Sequence, residues 1–211
     1  MNLNRIKLSI FFLANFAIGS SQAALVINFD DVSFPGGNPT ASSIPPEGYQ
    51  GFYWGGGYGA RSWIISPNDA TGWYEGTKQP YSHSGNNFAW SNGGTDLELT
   101  VHGGGTFDLT SFWIRNWPSD NVNVTAHAYL NGSEVSTLTF STSDSYSQIT
   151  SNFAHIDRFT ISPQIASNLL IDDISVANVS AVPEPEEWAM MIVGIPLVGW
   201  QIRRKQGRKA Q

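Results

Sequence analysis

The chain has 211 residues, 11 lysines and arginines against 17 acidic residues, a formal net charge of −6 and no cysteine. Charged residues make up only 13% of the chain, about half of the roughly 25% usual for soluble domains. This composition suits an exported β-protein better than a helical bundle, and the lack of cysteine excludes disulfides, thiolate zinc sites and thiol nucleophiles.

The first predicted element, residues 1–23, has the pattern of a secretory signal peptide. Two basic residues precede an apolar run over residues 8–18, and small residues end the segment. We expect signal peptidase to cleave between Ala23 and Ala24, so the protein is expected to be exported.

Residues 24–178 show period-two alternation and no helical period. Leu97–Val101 and Val122–Leu130 alternate most clearly, which predicts strands with one buried and one wet face. Asn131-Gly132 then predicts a type I′ hairpin, because both turn positions need positive φ. About eight to ten strands in this length predict a single all-β domain, a β-sandwich of the jelly-roll type.

The predicted sandwich is more acidic than the whole chain. Residues 24–182 carry four basic residues against fourteen acidic ones, a net charge of −10. Such a surface has no basic patch to neutralise phosphates, so we expect no nucleic-acid partner.

A glycine- and aromatic-rich stretch runs from Tyr49 to Trp90 and holds eleven of the 27 aromatic residues. Exposed aromatic rings stack on the C–H faces of sugars, which makes Trp54, Trp73 and Trp90 candidate glycan-binding residues. Plain core packing is the other explanation of the same rings, because aromatic residues are good strand formers. Both interpretations stay open at this point.

No residue is marked as catalytic. The four histidines are widely spaced without a zinc-ligand pattern, and no Gly-x-Ser-x-Gly elbow occurs. We therefore expect a non-enzymatic protein. A glycoside hydrolase needs two carboxylates about 5–9 Å apart, and the many acids leave a secreted polysaccharide hydrolase as an alternative.

The start and finish of the middle region, Asn28-Phe29-Asp30-Asp31 and Leu170–Val176, resemble carbohydrate-binding jelly rolls of the galactose-binding-like type. The resemblance implies that acids near the first strand and in the last strand share a structural calcium ion, with Asp30, Asp31 and Asp172 as candidates. On the residues alone, these acids could also cap strand ends and face solvent. No other cofactor is expected.

The last segment, residues 179–211, combines three features in order. Pro183-Glu184-Pro185 predicts a rigid extended piece, because each proline fixes its own φ and disfavours helix before it. The uncharged run from Trp188 to Ile202 is about 22 Å long as a helix, short for a hydrocarbon core of about 30 Å. A basic tail from Arg203 follows, so we expect a marginal, temporary membrane anchor with a cytoplasmic end.

The string VPEPEEWAMMIVGIPLVGWQIRRK resembles the PEP-CTERM sorting signal, although Pro196 and Trp200 depart from the small or aliphatic residues usual there. The resemblance implies that an exosortase, a membrane protease-transpeptidase, recognises Pro183, Glu184 and Pro185. The protein would then reach the surface or extracellular matrix of a Gram-negative bacterium that makes exopolysaccharide. We expect a non-enzymatic protein associated with that polysaccharide; the alternatives are a calcium-stabilised carbohydrate-binding module and the hydrolase.

Overall fold

The structure is a computed structural model and describes residues 24–34, 45–55, 63–68, 81–91, 96–117, 121–163 and 168–181. The predicted signal peptide, the Pro183-Glu184-Pro185 motif, the predicted anchor helix and Trp73 lie outside these residues. In the described ranges no helix is long and apolar enough to cross a membrane.

Eleven strands and one 3-10 turn make up the regular structure of the described residues, one strand more than the sequence predicts. They are β1 Leu25–Ile27, the turn Tyr49–Gly51, β2 Phe52–Gly55, β3 Trp63–Pro67, β4 Asn87–Ser91, β5 Leu97–Val101, β6 Gly105–Trp117, β7 Val122–Leu130, β8 Ser133–Thr142, β9 Ser147–Ile156, β10 Arg158–Pro163 and β11 Asn168–Ala181. The predicted domain boundary at residue 178 falls inside β11.

The strands form two antiparallel sheets, which confirms the predicted all-β sandwich. Sheet A has the order β3-β4-β11-β6-β9, with β1 also paired to β11. Sheet B has the order β2-β5-β10-β7-β8. The pairs β4·β11, β5·β10, β6·β9 and β7·β8 are nested one inside the next along the chain. Folding such a nested ribbon across two sheets gives the eight-stranded jelly roll.

Alternating apolar side chains from both sheets fill the space between them. In β5, Leu97, Leu99 and Val101 are buried, whereas Glu98 and Thr100 point away from the core. The largest fully buried side chains belong to both sheets and to the β1–β2 connection: Trp63, Phe29, Phe52, Phe107, Phe112 and Phe159. The rings of Trp54 and Trp63 meet edge to face at 5.0 Å between centroids, so aromatic contacts join the two sheets.

The hairpin between β7 and β8 confirms the turn predicted from the sequence. Asn131 has φ 52° and Gly132 has φ 77°, the left-handed values that a type I′ turn requires at both central positions. The backbone N–H of Asn131 donates to Oδ2 of Asp157 at 2.5 Å. This contact ties the hairpin tip to the β9–β10 connection.

Bulges bend sheet A. In β11 the register to β6 shifts between Asp172 and Ser175, and Asp173 has φ 45°. The register between β6 and β9 shifts between Leu109 and Ser111. By contrast, β2, β5, β10 and β7 of sheet B pair without a shift, so side chains on their outer face stand in even rows.

Candidate functional site

Part of the outer face of sheet A is covered by the chain itself. Residues 81–86 lie across it, where Tyr81 packs with Phe88 and Leu170 in a second, smaller apolar cluster. The hydroxyl of Tyr146 donates to the carbonyl of Tyr81 at 2.6 Å. Burial, the largest cause, raises the pKa of the Tyr146 hydroxyl. This part of the face therefore forms a small second core instead of a binding surface.

Asp172 anchors the covering segment to sheet A. Its Oδ2 accepts hydrogen bonds from the backbone N–H groups of His83 at 2.8 Å and Ser84 at 3.0 Å. Its Oδ1 accepts one from the N–H of Asp173 at 2.8 Å. The residue is fully buried, and this burial raises the pKa of the carboxyl group from its ordinary 3.8 to about 7 despite the three donors.

Asp173 provides the second attachment of the same segment. Its Oδ2 lies 2.6 Å from Nδ1 of His83, and its Oδ1 accepts the Ser84 hydroxyl at 2.8 Å. The His83 ring also stacks on Trp113 at 3.7 Å between centroids. In a catalytic triad the serine hydroxyl bonds to the imidazole. Here serine and histidine bind the same carboxylate, which is a structural clamp.

Asp30 and Asp31 also bind donors of the protein, at two other places. Oδ1 of Asp30 accepts the N–H groups of Asn86 at 2.7 Å and Asn87 at 3.0 Å. Oδ1 of Asp31 accepts the Tyr49 hydroxyl at 2.5 Å. Burial first, and then this bond to Asp31, raises the pKa of Tyr49. The two acids connect the segment after β1 to the start of β4 and to the turn before β2.

The three predicted calcium ligands thus contact separate sets of protein donors. Among the residues that the structure describes, no group of three or more histidine or acidic side chains could hold a metal ion. Calcium binding by Asp30, Asp31 and Asp172 stays a prediction, which a calcium titration of the melting temperature would test.

Of the candidate tryptophans, the structure buries Trp54 and partly buries Trp90. Trp54 is 4% exposed in the core, and its indole N–H donates to the carbonyl of Tyr49 at 3.0 Å. Trp90 packs against the second apolar cluster and donates to the Ser66 hydroxyl at 3.0 Å. Trp54 is therefore a core residue and not a glycan platform, and Trp73 lies outside the described residues.

The outer face of sheet B, in the part of the chain that the structure describes, is an open polar surface. We call it the sheet B face. Its exposed or half-buried side chains, at alternate positions of the strands, include Tyr53, Glu98, Thr100, His127, Tyr129, Arg158 and Thr160. Neighbouring strands lie about 4.8 Å apart, so the face spans about 14 Å from β2 to β7.

Tyr53 is the exposed aromatic side chain of this face, with 43% of its surface accessible. Its ring lies over Gly55, two residues further along β2. A Cβ atom on Gly55 would stand only 2.6 Å from Cε1 of the ring. The missing side chain at Gly55 therefore allows the Tyr53 ring to lie close along the sheet.

Arg158 lies on β10 of the same face, between β5 and β7. Its guanidinium stands 4.0 Å from the centroid of the Tyr129 ring, a cation–π contact. One of its nitrogen atoms is 3.7 Å from Oε2 of Glu98. Both members of the ion pair are about one-third exposed, at 37% and 29% of their side chains, so solvent and ligands reach them.

A histidine–carboxylate pair lies at the far side of the face. Nδ1 of His127 is 2.9 Å from Oε2 of Glu134, and the Thr137 hydroxyl donates to Oε1 of the same carboxylate. The bond from Thr137, followed by the one from His127, lowers the pKa of Glu134. Glu134 is therefore ionised at neutral pH.

Sequence reasoning missed Tyr53 because aromatic residues occupy both faces of β2. Phe52 and Trp54 point inward and Tyr53 points outward, and three aromatic residues in succession hide this alternation. The glycine at position 55 was the available signal, since a glycine two residues after an aromatic residue on one strand face leaves room for the ring.

No family model and no curated protein matches the chain. Among solved structures, it is similar to TmCBM61 in complex with β-1,4-galactotriose, at 14% identity and a TM-score of 0.37 over 62% of this chain and 93% of that one. It is also similar to the CBM22-1 xylan-binding domain from Paenibacillus barcinonensis Xyn10C, at 13% identity and a TM-score of 0.38 over 68% and 96% of the two chains. A third is the K2 cleaved adhesin domain of Lys-gingipain, at 13% identity and a TM-score of 0.42 over 73% and 97%. The scores and identities are low, so these similarities assign neither a ligand nor a site to this chain.

Proposed function

We propose that the chain is an exported, non-enzymatic protein whose β-sandwich binds polysaccharide through the sheet B face. The observation that carries the proposal is the Tyr53 ring, exposed and laid over Gly55 on an open, regular sheet. An aromatic ring held flat at a protein surface offers its face to the C–H groups of a sugar ring.

The polar groups beside Tyr53 supply the other half of sugar recognition. Thr100 lies directly opposite Tyr53, and Glu98 and Thr160 lie opposite each other in the next row. Their carboxylate and hydroxyl oxygens can bind sugar hydroxyls. Shallow stacking with a few fixed hydrogen bonds suits an extended chain that lies across the strands. The roughly 14 Å between β2 and β7 gives room for several sugar units of such a chain.

A hydrolytic role has less support in the described residues. Glu98 is paired with Arg158 and Glu134 with His127, so both carboxylates of the face are held by protein partners instead of being free to act on a glycosidic bond. The Ser84, His83 and Asp173 contacts form a clamp rather than a triad. We therefore propose binding without cleavage.

The route to the outside is proposed from the sequence. Signal peptidase would cleave between Ala23 and Ala24, and an exosortase-type protease would act at Pro183-Glu184-Pro185 after a transient stay in the inner membrane. On this proposal the sandwich reaches the cell surface or extracellular matrix, where exopolysaccharide is its ligand.

Affinity electrophoresis of the purified protein through gels containing soluble polysaccharides tests the binding proposal. We expect retardation by at least one polymer and loss of most of it in Tyr53→Ala. Val26→Ala serves as the matched control, because Val26 is 51% exposed on β1 of the other sheet. Equal retardation of Tyr53→Ala and wild type would contradict the proposed face, and release of reducing sugar would favour the hydrolase.

Fractionation of cells tests the sorting proposal separately. A membrane-bound precursor and a shorter released form lacking Trp188–Gln211 are expected. In a strain whose exosortase gene is deleted, the precursor should accumulate and the released form should disappear. Release that is unchanged in that strain would rule out this route.

A further inference from the structure

We propose that the sheet B face selects neutral polysaccharides over polyanionic ones, and that Glu98 is the residue that sets this preference. The inference rests on the proposed function, because it concerns the ligand class of the same face. The inference follows from the carboxylates that pair with the two basic side chains of the face, Arg158 and His127.

Arg158 is the only arginine or lysine of the sheet B face among the described residues. A polysaccharide with uronic acid or sulfate groups would need such a cation to bind its charges. The guanidinium of Arg158, however, lies between the carboxylate of Glu98 at 3.7 Å and the ring of Tyr129 at 4.0 Å. An anionic sugar would have to compete with Glu98 for it.

The other basic group of the face is compensated in the same way. His127 lies 2.9 Å from the carboxylate of Glu134, which also accepts the Thr137 hydroxyl. Even with a protonated imidazole, the pair would present no net positive charge. Because each basic side chain is paired with a carboxylate, the face offers hydrogen-bonding groups to a ligand but has no excess positive charge.

The rest of the domain adds repulsion of the same sign. Residues 24–182 carry a net charge of −10, and the other arginine of the described residues, Arg115, is 7% exposed on β6 of sheet A. A polyanion approaching the sheet B face would meet a negative field, which dissolved salt screens over about 10 Å at 0.1 M ionic strength. A neutral chain would not meet this barrier.

Glu98 has a fixed place in the fold, which suits a residue that determines specificity. Its backbone carbonyl accepts the indole N–H of Trp63 at 2.8 Å, a bond that reaches across from sheet A. The strand around it pairs on both sides, with Gly55 of β2 and Thr160 of β10. The backbone of Glu98 is thereby held on an inner strand of the sheet, and its carboxylate lies 3.7 Å from the Arg158 guanidinium.

Matched polymers test this inference. Soluble β-1,3-glucan, β-1,4-glucan and β-1,4-mannan are the neutral probes, and each is compared with the same polymer after oxidation of its C6 hydroxymethyl groups to carboxylates. Wild-type protein should bind at least one neutral probe and bind its oxidised form about tenfold more weakly at low salt, with the difference shrinking at about 0.5 M salt.

Glu98→Gln should reduce the ratio of the affinities for the neutral and the oxidised polymer about fourfold, because the oxidised polymer binds more strongly. This is the effect expected of removing one elementary charge at about 5 Å in near-aqueous surroundings. Glu47→Gln is the control, because Glu47 is 87% exposed beside His102 and its loss changes the net charge equally. The control should leave the ratio within about twofold of wild type.

Three results would count against these proposals in distinguishable ways. Wild-type protein that binds an oxidised polymer as tightly as its neutral parent would overturn the inference and leave polysaccharide binding intact. If Glu47→Gln reduces the affinity ratio as much as Glu98→Gln does, Glu98 is not the residue that sets the preference for neutral polymers. Binding to none of the probes, in either form, would contradict the proposed function and the inference with it.

Discussion

Asp172 makes the stability of the sandwich depend on pH in a direction opposite to the usual behaviour of a paired carboxylate. Its pKa is raised from 3.8 to about 7 in the folded protein, first because the carboxyl group is buried. The folded state therefore keeps a proton between about pH 4 and pH 7 that the unfolded chain has released. Because the folded state binds more protons in this window, the free energy of unfolding falls as the pH rises through it.

The size of the effect follows from the two pKa values. The interval from 3.8 to about 7 corresponds to roughly 4 kcal/mol, at about 1.4 kcal/mol for each tenfold change in proton affinity. A domain of this size shifts its melting temperature by about 2–4 °C per kcal/mol. We therefore expect Asp172 alone to lower the melting temperature by roughly 10 °C between pH 4.5 and pH 7.5.

Thermal unfolding followed by circular dichroism over this pH range, for wild type and Asp172→Asn, isolates the contribution. The asparagine cannot ionise, and its carbonyl oxygen can still accept the N–H groups of His83 and Ser84. The difference between the two melting curves should change with pH by the amount above, while other titrating groups cancel. Parallel loss of stability in the two proteins, or a gain of stability by wild type relative to Asp172→Asn as the pH rises, would contradict a raised pKa of Asp172.

The remaining predictions concern β2 and the β7–β8 hairpin. Trp54→Ala should lower the free energy of unfolding by about 3–5 kcal/mol, because it empties a core site. Tyr53→Ala should lower it by under about 1 kcal/mol, because this side chain is at the surface. Urea denaturation of both variants measures these losses, and equal losses would contradict the opposite faces assigned to the two residues. Gly55→Ala should push the Tyr53 ring from its place and weaken polysaccharide binding about fivefold with little change in melting temperature, as measured by affinity electrophoresis and thermal unfolding. Gly132→Ala should cost about 1–2 kcal/mol, because alanine is strained at φ 77°; an unchanged melting temperature would show that the turn relaxes.

The strands that the sequence predicted best are those with one wet face. β5 and β7 show strict alternation because their outer residues are polar, and the hairpin turn after β7 is encoded by two adjacent residues. The pairing of strands far apart was not predictable in the same way. Leu25 lies opposite Val176, and no local pattern in either segment specifies that partner.

The bulges are visible in the sequence as a step of three residues between apolar residues, where a regular strand would have a step of two. The inward residues of β11 step by two and then by three, from Ile171 to Ile174. The inward residues of β6 do the same, from Leu109 to Phe112. Each step of three falls at a register shift in the structure, since one extra residue restores the inward direction.

Within the aromatic-rich stretch, the sequence did not show which rings of β2 face outward. Trp54 attracted attention by its size, but its neighbour Tyr53 reaches the surface, and one residue decides the face on a strand. Asp172 was predicted for its charge and turns out to be buried under residues 81–86. The loop that covers it comes from a distant part of the chain, so its burial could not be predicted from the residues around it.

The position of β11 has a consequence for how the protein is made. This strand, residues 168–181, is bonded to β1, β4 and β6 in the middle of sheet A, yet it is synthesised after all of them. Until it emerges, β4 and β6 are paired on one side only, with β3 and β9, and β1 lacks its partner β11. Completion of sheet A therefore depends on contacts between residues far apart in the chain, which form more slowly than a local pair such as β7 with β8. Before that strand arrives, the edges of β4 and β6 that face it are open, and open strand edges are sites at which chains aggregate.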